Sequence, residues 1–190
     1  MSDVSTARSI NGIELPPAGA YAFDKAHTTV GFEARHMLSK VKGRFTDFDG
    51  QVKIGDPVED SSVNVEIKAD SITTDNEGRD QHLRSGDFFE SDEYPTLSFV
   101  STAFRPGAGN AFELDGDLTV KGETNPITLK GEFLGWGPGM QGGTLASFTA
   151  SATIDREDWD LTWNVAVETG GLLVGKKVDI VIDADLVLED

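Results

Sequence analysis

From residue 28 onward, apolar and polar positions alternate in run after run. In 28–36, Val30, Phe32, Ala34 and His36 share one face, while Thr29, Gly31, Glu33 and Arg35 take the other. Residues 63–70 set Val63, Val65, Ile67 and Ala69 against Asn64, Glu66, Lys68 and Asp70. The same period of two recurs in 112–120, 127–133, 148–154 and 178–188. It marks strands with one buried face. Shorter or less regular candidates lie at 20–24, 44–54, 97–104 and 159–168. Gly55-Asp56-Pro57, Pro106 through Asn110, Asn125-Pro126 and Gly135 through Gly143 are turn-forming stretches between the runs. About eight to ten antiparallel strands at this spacing predict an all-β sandwich or a closed barrel. No repeat of 20–50 residues points to a propeller or solenoid.

One stretch breaks the alternation. Over 75–90, Asp75 or Asn76 supplies a helix cap, acidic residues follow, and Gly86 supplies a stop. The spacing predicts one short helix, with Leu83, Phe88 and Phe89 pressed onto the sheet or plugging one end of a barrel. Residues 1–19 read as a polar arm, loose or at a sheet edge, and 20–190 as a single domain.

Composition narrows the possibilities. The chain has 190 residues, within the range of one all-β domain. Its net charge of −17 opposes phosphate backbones and anionic headgroups, which argues against nucleic-acid partners and polybasic membrane docking. With no cysteine there is no disulfide, thiolate metal site or Cys nucleophile. No segment approaches the ~18 continuous apolar residues of a membrane-spanning helix. The first residues carry neither a basic nor an apolar leader pattern. The expectation is a cytoplasmic protein without an integral membrane segment (periplasmic or secreted if a leader had been removed). Its edges and acidic surface permit a homodimer without demanding one.

Catalytic patterns are weak. Gly170 through Lys176 imitates a phosphate-binding loop, but Lys177 stands where a magnesium-liganding hydroxyl belongs, and 178–182 reads as a strand instead of the required helix. His27 and His36 are nine residues apart, which puts them on opposite faces of a regular strand. His82 falls on the helix. Asp155, Glu157, Asp158 and Asp160 around Arg156 read as solvated loop charge rather than a glycosidase-type pair. There is no Gly-x-Ser-x-Gly elbow. The expectation is no enzyme, no metal and no cofactor.

The inward face mixes large aromatics (Phe32, Phe45, Phe99, Phe148, Trp163) with small residues (Ala34, Gly116, Gly131, Ala150, Ala152). Undersized inward residues leave volume that a ligand would fill; alternatively, large and small residues interdigitate into an ordinary core.

The order of particular residues is more specific. Asp24-Lys25-Ala26-His27-Thr28 leads into Val30-Gly31-Phe32, Arg35-His36-Met37 and Gly43-Arg44-Phe45. Arg79-Asp80-Gln81-His82-Leu83-Arg84-Ser85, Asp87-Phe88-Phe89, Tyr94-Pro95, Gly116-Asp117-Leu118-Thr119 and Ile154-Asp155-Arg156 follow. This series, from about Tyr21 to Leu188, resembles the YceI-like family of bacterial polyisoprenoid-binding, lipocalin-like proteins. The resemblance implies an elongated antiparallel eight-stranded barrel with one short helix and a central apolar tunnel. It also implies non-covalent binding of a long polyprenyl or similar lipid, such as an isoprenoid quinone or its precursor, without catalysis. The family's opening motif usually has Ser where this chain has Thr28, which keeps the hydroxyl. Phe32, Phe45, Phe99, Leu118, Phe148 and Trp163 are the expected tunnel lining, with Leu83 and Phe88 at the helix end and His36 as an inward polar group. Arg79, Asp80 and His82 either meet a polar headgroup or pin the helix to the rim, with pinning favoured. The alternatives are a barrel filled by its own side chains and, behind it, an enzyme acting on isoprenoid lipids.

Overall fold

The structure, a computed structural model, describes residues 7–190. Strands β1 (Ser9–Ile10) and β2 (Ile13–Glu14) form a small hairpin. Then come β3 (Gly19–Phe23), β4 (Thr29–His36), β5 (Ser39–Phe45), β6 (Phe48–Ile54), β7 (Ser62–Lys68) and β8 (Ile72–Thr73). Helix α1 (Glu77–Arg84) follows, and β9 (Thr96–Pro106), β10 (Ala111–Val120), β11 (Glu123–Pro138), β12 (Thr144–Asp155) and β13 (Val174–Leu188) complete the chain.

These strands close into an eight-stranded antiparallel barrel. Three positions in its wall are occupied by broken strands. β3 and β4 both pair with β13, while β6 and β5 pair with β3 and β4 in turn. β7 and β8 continue the pattern against β6 and β5. The long strands β9 to β12 complete the wall, and pairing of β12 with β13 seals it from Leu145↔Val187 to Asp155↔Lys177. At the break between β3 and β4, the Thr28 hydroxyl donates to the Asp185 carbonyl (3.2 Å) and accepts from its N–H (3.1 Å). The hydroxyl replaces ladder bonds that the interrupted strand cannot make.

Alternating sequence becomes alternating burial. Along β10, Phe112, Leu114, Leu118 and Val120 are buried, with half-exposed residues between them. Several inward residues of other strands, among them Phe32, Ile127, Phe148, Ile180 and Ile182, stay half-exposed although they face the interior. The interior is hollow.

Some expectations fail. The 44–54 candidate is two strands, broken at Thr46–Asp47 where the wall bends between β5 and β6. No strand spans 159–168: a 3-10 turn occupies Arg156–Trp159, and beyond it only an isolated bridge joins Ala166 to Leu172. Asn125-Pro126 is not a turn but part of β11. The hairpin instead reverses at Lys121-Gly122, whose φ values of 51° and 77° meet the left-handed requirement of a tight two-residue connection. Pro126 is tolerated because β11 pairs there with Asp117 of β10, while its pairing with β12 starts only at Lys130. Gly135 through Pro138 likewise belong to β11. Of the 1–19 arm, residues 1–6 lie outside the described residues, and Ser9–Glu14 form the β1–β2 hairpin.

The barrel ends differ. The hairpin docks on the β9–β10 turn, where the Asn11 amide donates to the Gly107 carbonyl at 2.8 Å. Helix α1 sits at the opposite end. Lys121 of the β10–β11 turn donates to the Gly86 carbonyl (3.2 Å), and Tyr94 packs against Gly122. Among the described residues no helix is long and apolar enough to cross a membrane.

Candidate functional site

The barrel encloses a cavity of about 590 Å³. Its wall comes from the apolar parity of nearly every strand, including Val30, Phe32 and Ala34 of β4 and Val178, Ile180 and Ile182 of β13. This size lies within the ~300–1,000 Å³ range of small-molecule sites.

All nine expected site residues line it. Phe32, Phe45, Phe99, Leu118 and Phe148 do so from strands, Leu83 from α1, and Phe88 from the turn after it. His36 lines it from the end of β4. Trp163 also lines it, but from the loop between β12 and β13, so the strand parity that singled it out does not exist. What holds Trp163 is an aromatic group. Its ring lies 4.5 Å from that of His82 and 5.3 Å from that of Phe88, and His82 and Phe88 are 5.1 Å apart. Phe45 meets Phe32 at 6.0 Å and Phe89 at 5.8 Å, which continues the aromatic lining toward the middle of the bore. Phe45–Phe89 and the two His82 contacts are edge-to-face, the other two tilted; aromatic pairs contribute roughly 0.5–1.5 kcal/mol beyond their buried area.

Helix α1 is fastened by its polar residues. Asn76 caps it, its side-chain oxygen accepting from the Arg79 N–H at 3.0 Å. Asp80, only 3% exposed, accepts from the Thr74 N–H (2.8 Å) and hydroxyl (2.5 Å). Arg79 donates to the Thr74 hydroxyl (2.7 Å) and carbonyl (2.9 Å). Burial opposes the charged form of Asp80, but the hydrogen bonds from Thr74 and Thr73 outweigh it and hold the carboxyl below its ordinary value. Arg79 and Asp80 thus tie α1 to the end of β8. His82 faces the cavity and bonds Asp87 at 2.8 Å.

Several lining residues went unselected in the sequence. Phe112, Leu114 and Phe133 share the apolar parity of their strands. Trp159 is buried, with its indole N–H on the Leu118 carbonyl at 2.9 Å. Ile10 and Ile13 bring the β1–β2 hairpin to the far end of the bore. The carboxylates Asp155, Glu157, Asp158 and Asp160 are half-exposed or exposed, but Arg156 among them is not. It is 3% exposed and donates to the carbonyls of Leu161 (2.5 Å), Gly175 (2.9 Å) and Val174 (3.4 Å). A lone arginine followed by Trp159 in an acidic stretch was the available signal. His27 lies in the turn before β4, bound to Asp24 at 2.8 Å. Among the described residues no cluster of His, Asp or Glu is arranged to hold a metal ion.

Comparison with known proteins agrees with this architecture. Residues 21–186 match the YceI-like domain. The chain belongs to the YceI-like family. A UPF0312 protein of Staphylococcus aureus is 38% identical over 174 residues, covering 90% of this chain and 98% of that one. The crystal structure of the Campylobacter jejuni YCEI protein is 28% identical, with a TM-score of 0.69 and coverage of 90% and 98%. A domain from Saccharophagus degradans, described as polyisoprenoid binding and implicated in plant cell wall breakdown, shares the fold at 13% identity. Its TM-score is 0.64, and the match covers 91% of this chain and 100% of that one. The YceI-like barrel with its single α-helix is therefore the architecture that the family resemblance implied, and it settles the choice between sandwich and barrel that the alternating strands left open.

Proposed function

We propose that this protein binds a long-chain polyisoprenoid or similar lipid non-covalently inside the barrel, and carries or sequesters it without chemistry of its own. The observation that carries the reading is the unfilled apolar bore. Phe32, Phe45, Phe99, Leu118 and Phe148 form its sides, Leu83, Phe88 and Trp163 its helix end, and His36 offers a polar atom there. The fold shared with a domain described as polyisoprenoid binding is consistent with it.

The energetics favour a long chain. At about 30 Å³ per water-sized group, the cavity accommodates roughly twenty methylene-sized groups. Each methylene removed from water contributes about 0.8 kcal/mol, or about fourfold in affinity before ordering costs. Titration with geraniol, farnesol, geranylgeraniol and the next longer prenyl alcohol, geranylfarnesol, tests this. Affinity is expected to climb steeply with each isoprene unit and to level off near twenty carbons. A flat series would contradict a bore-binding mode, and turnover of any of these alcohols that depends on His36 or His82 would favour an enzyme instead.

A further inference from the structure

The charge of the cavity wall runs against that of the chain. Asp and Glu total 33 of the 190 residues, yet among the described residues none lines the cavity. The ionisable side chains that do are Arg35, His36, Lys53, Arg79, His82 and Arg156.

All but Lys53 belong to the helix end. Arg79 and His82 lie on α1. Arg35 and His36 end β4, where His36 is in register with Val174, and Arg35 packs against Gly175. The carbonyls of those same two residues accept from Arg156. Two separate walls and the helix therefore deliver cationic or imidazole groups to one end of an otherwise greasy bore.

Arg156 is the least expected of them. It is 3% exposed and forms no ion pair among the described residues. The flanking Glu157 and Asp155 turn instead to Lys176 at 3.0 Å and Lys177 at 3.9 Å. Its three bonds run to neutral carbonyls, and a guanidinium has five N–H donors. A buried charge without a counter-ion is costly. The surface carboxylates do not cancel its attraction for an anion, since exposed charges are screened over about 8 Å at physiological salt. Inside the low-dielectric bore the nearest charge dominates.

We propose that the cavity selects amphiphiles with an acidic head, a carboxylate or phosphate monoester on a long apolar tail, and seats that head beside Arg156 at the α1 end. This rests on the lipid-binding reading above and adds the head group and the direction of threading. The tail runs toward the β1–β2 hairpin. A charge-assisted hydrogen bond contributes about 1.5–3 kcal/mol, so the acid should bind roughly tenfold tighter, or more, than the matching alcohol.

The test compares matched tails below their micelle concentrations, by calorimetric titration at pH 7. Oleate is set against oleyl alcohol, and farnesyl monophosphate against farnesol. Tighter binding of oleate alone identifies a carboxylate head, of farnesyl monophosphate alone a phosphate head, and of both the shared anionic chemistry. Arg156→Gln should bring the acids to within about threefold of the alcohols, the acid-to-alcohol affinity ratio of matched tails being the quantity read. If that variant fails to fold, Arg35→Gln on the exposed rim should still narrow the gap, and the wild-type comparison needs no variant. Acids and alcohols binding equally would overturn the head-group proposal and leave apolar-chain binding standing. Failure of all four to bind would overturn both.

Discussion

Phe112 covers Gly131. The two are directly opposite in the β10–β11 register, and a Cβ on the glycine would stand 2.3 Å from the ring's Cζ. Phe32 covers Gly43 and Phe99 covers Gly116 at the same distance. Gly116 and Gly131 were expected to enlarge the bore by being small. Their role is less direct: each lets a neighbouring ring recline against the wall, which keeps the centre open while the aromatic surface is retained.

Gly131→Ala should therefore destabilise the barrel. The new methyl would meet both the Phe112 ring and the Thr149 carbonyl oxygen at 2.6 Å, so ring and ladder must both shift. Overpacking of this kind costs about 1–3 kcal/mol, or roughly 2–12 °C in Tm for a domain of this size. Gly43→Ala should cost less in a thermal melt, because its three nearest atoms all belong to the Phe32 ring, which can swing into the bore.

Plugging the bore gives a complementary result. Ala150 lines the cavity on β12, in register with Gly131 and Ile182. Ala150→Phe should lower the affinity for geranylgeraniol at least tenfold and change Tm by only a few degrees. Unchanged affinity in a titration would place the ligand outside the barrel.

Asp80→Ala should loosen the helix end. It leaves the buried Thr74 N–H without its acceptor, a loss of about 1–3 kcal/mol in denaturant unfolding near neutral pH. Because the folded carboxyl is held below its ordinary 3.8, its contribution is complete above that value. It is lost as the pH falls through the lower folded value. The difference between wild type and an Asp80→Asn variant should accordingly shrink in acid.

How much of this was legible in the sequence depends on how local the cause was. Strand faces could be read from alternation because side-chain direction along a strand needs no partner, as Phe32 and Phe148 show. The helix was legible from Asn76, whose capping oxygen acts within its own turn. The loop position of Trp163, the burial of Arg156 and the β1–β2 hairpin were not legible, for a common reason. Their places depend on His82, on the Gly175 carbonyl and on Gly107, all distant in sequence. The strand break at Thr46–Asp47 is likewise a property of the curved wall. A hollow interior was expected from the undersized inward residues and the family resemblance, whereas the gathering of its cations at one end follows only from closure of the ring.

His27 and Asp24 make an exposed pair whose titration is readable by NMR. The hydrogen bond to Asp24 raises His27 above its ordinary 6.5, and the same bond lowers Asp24. The pair's stabilisation is complete below the unfolded histidine value and fades as pH rises through the higher folded one. On the acid side it fades as pH falls through the depressed Asp24 value. Asp24→Asn should return the His27 midpoint to near 6.5.

The most direct test of a lipid-holding bore is mass. Protein purified without detergent and incubated with a lipid extract of its host is weighed intact under native conditions, then again after denaturation. One long-chain apolar or amphiphilic molecule per barrel, present in the first spectrum and released in the second, is the expected result. A native mass equal to that of the polypeptide alone would contradict the account.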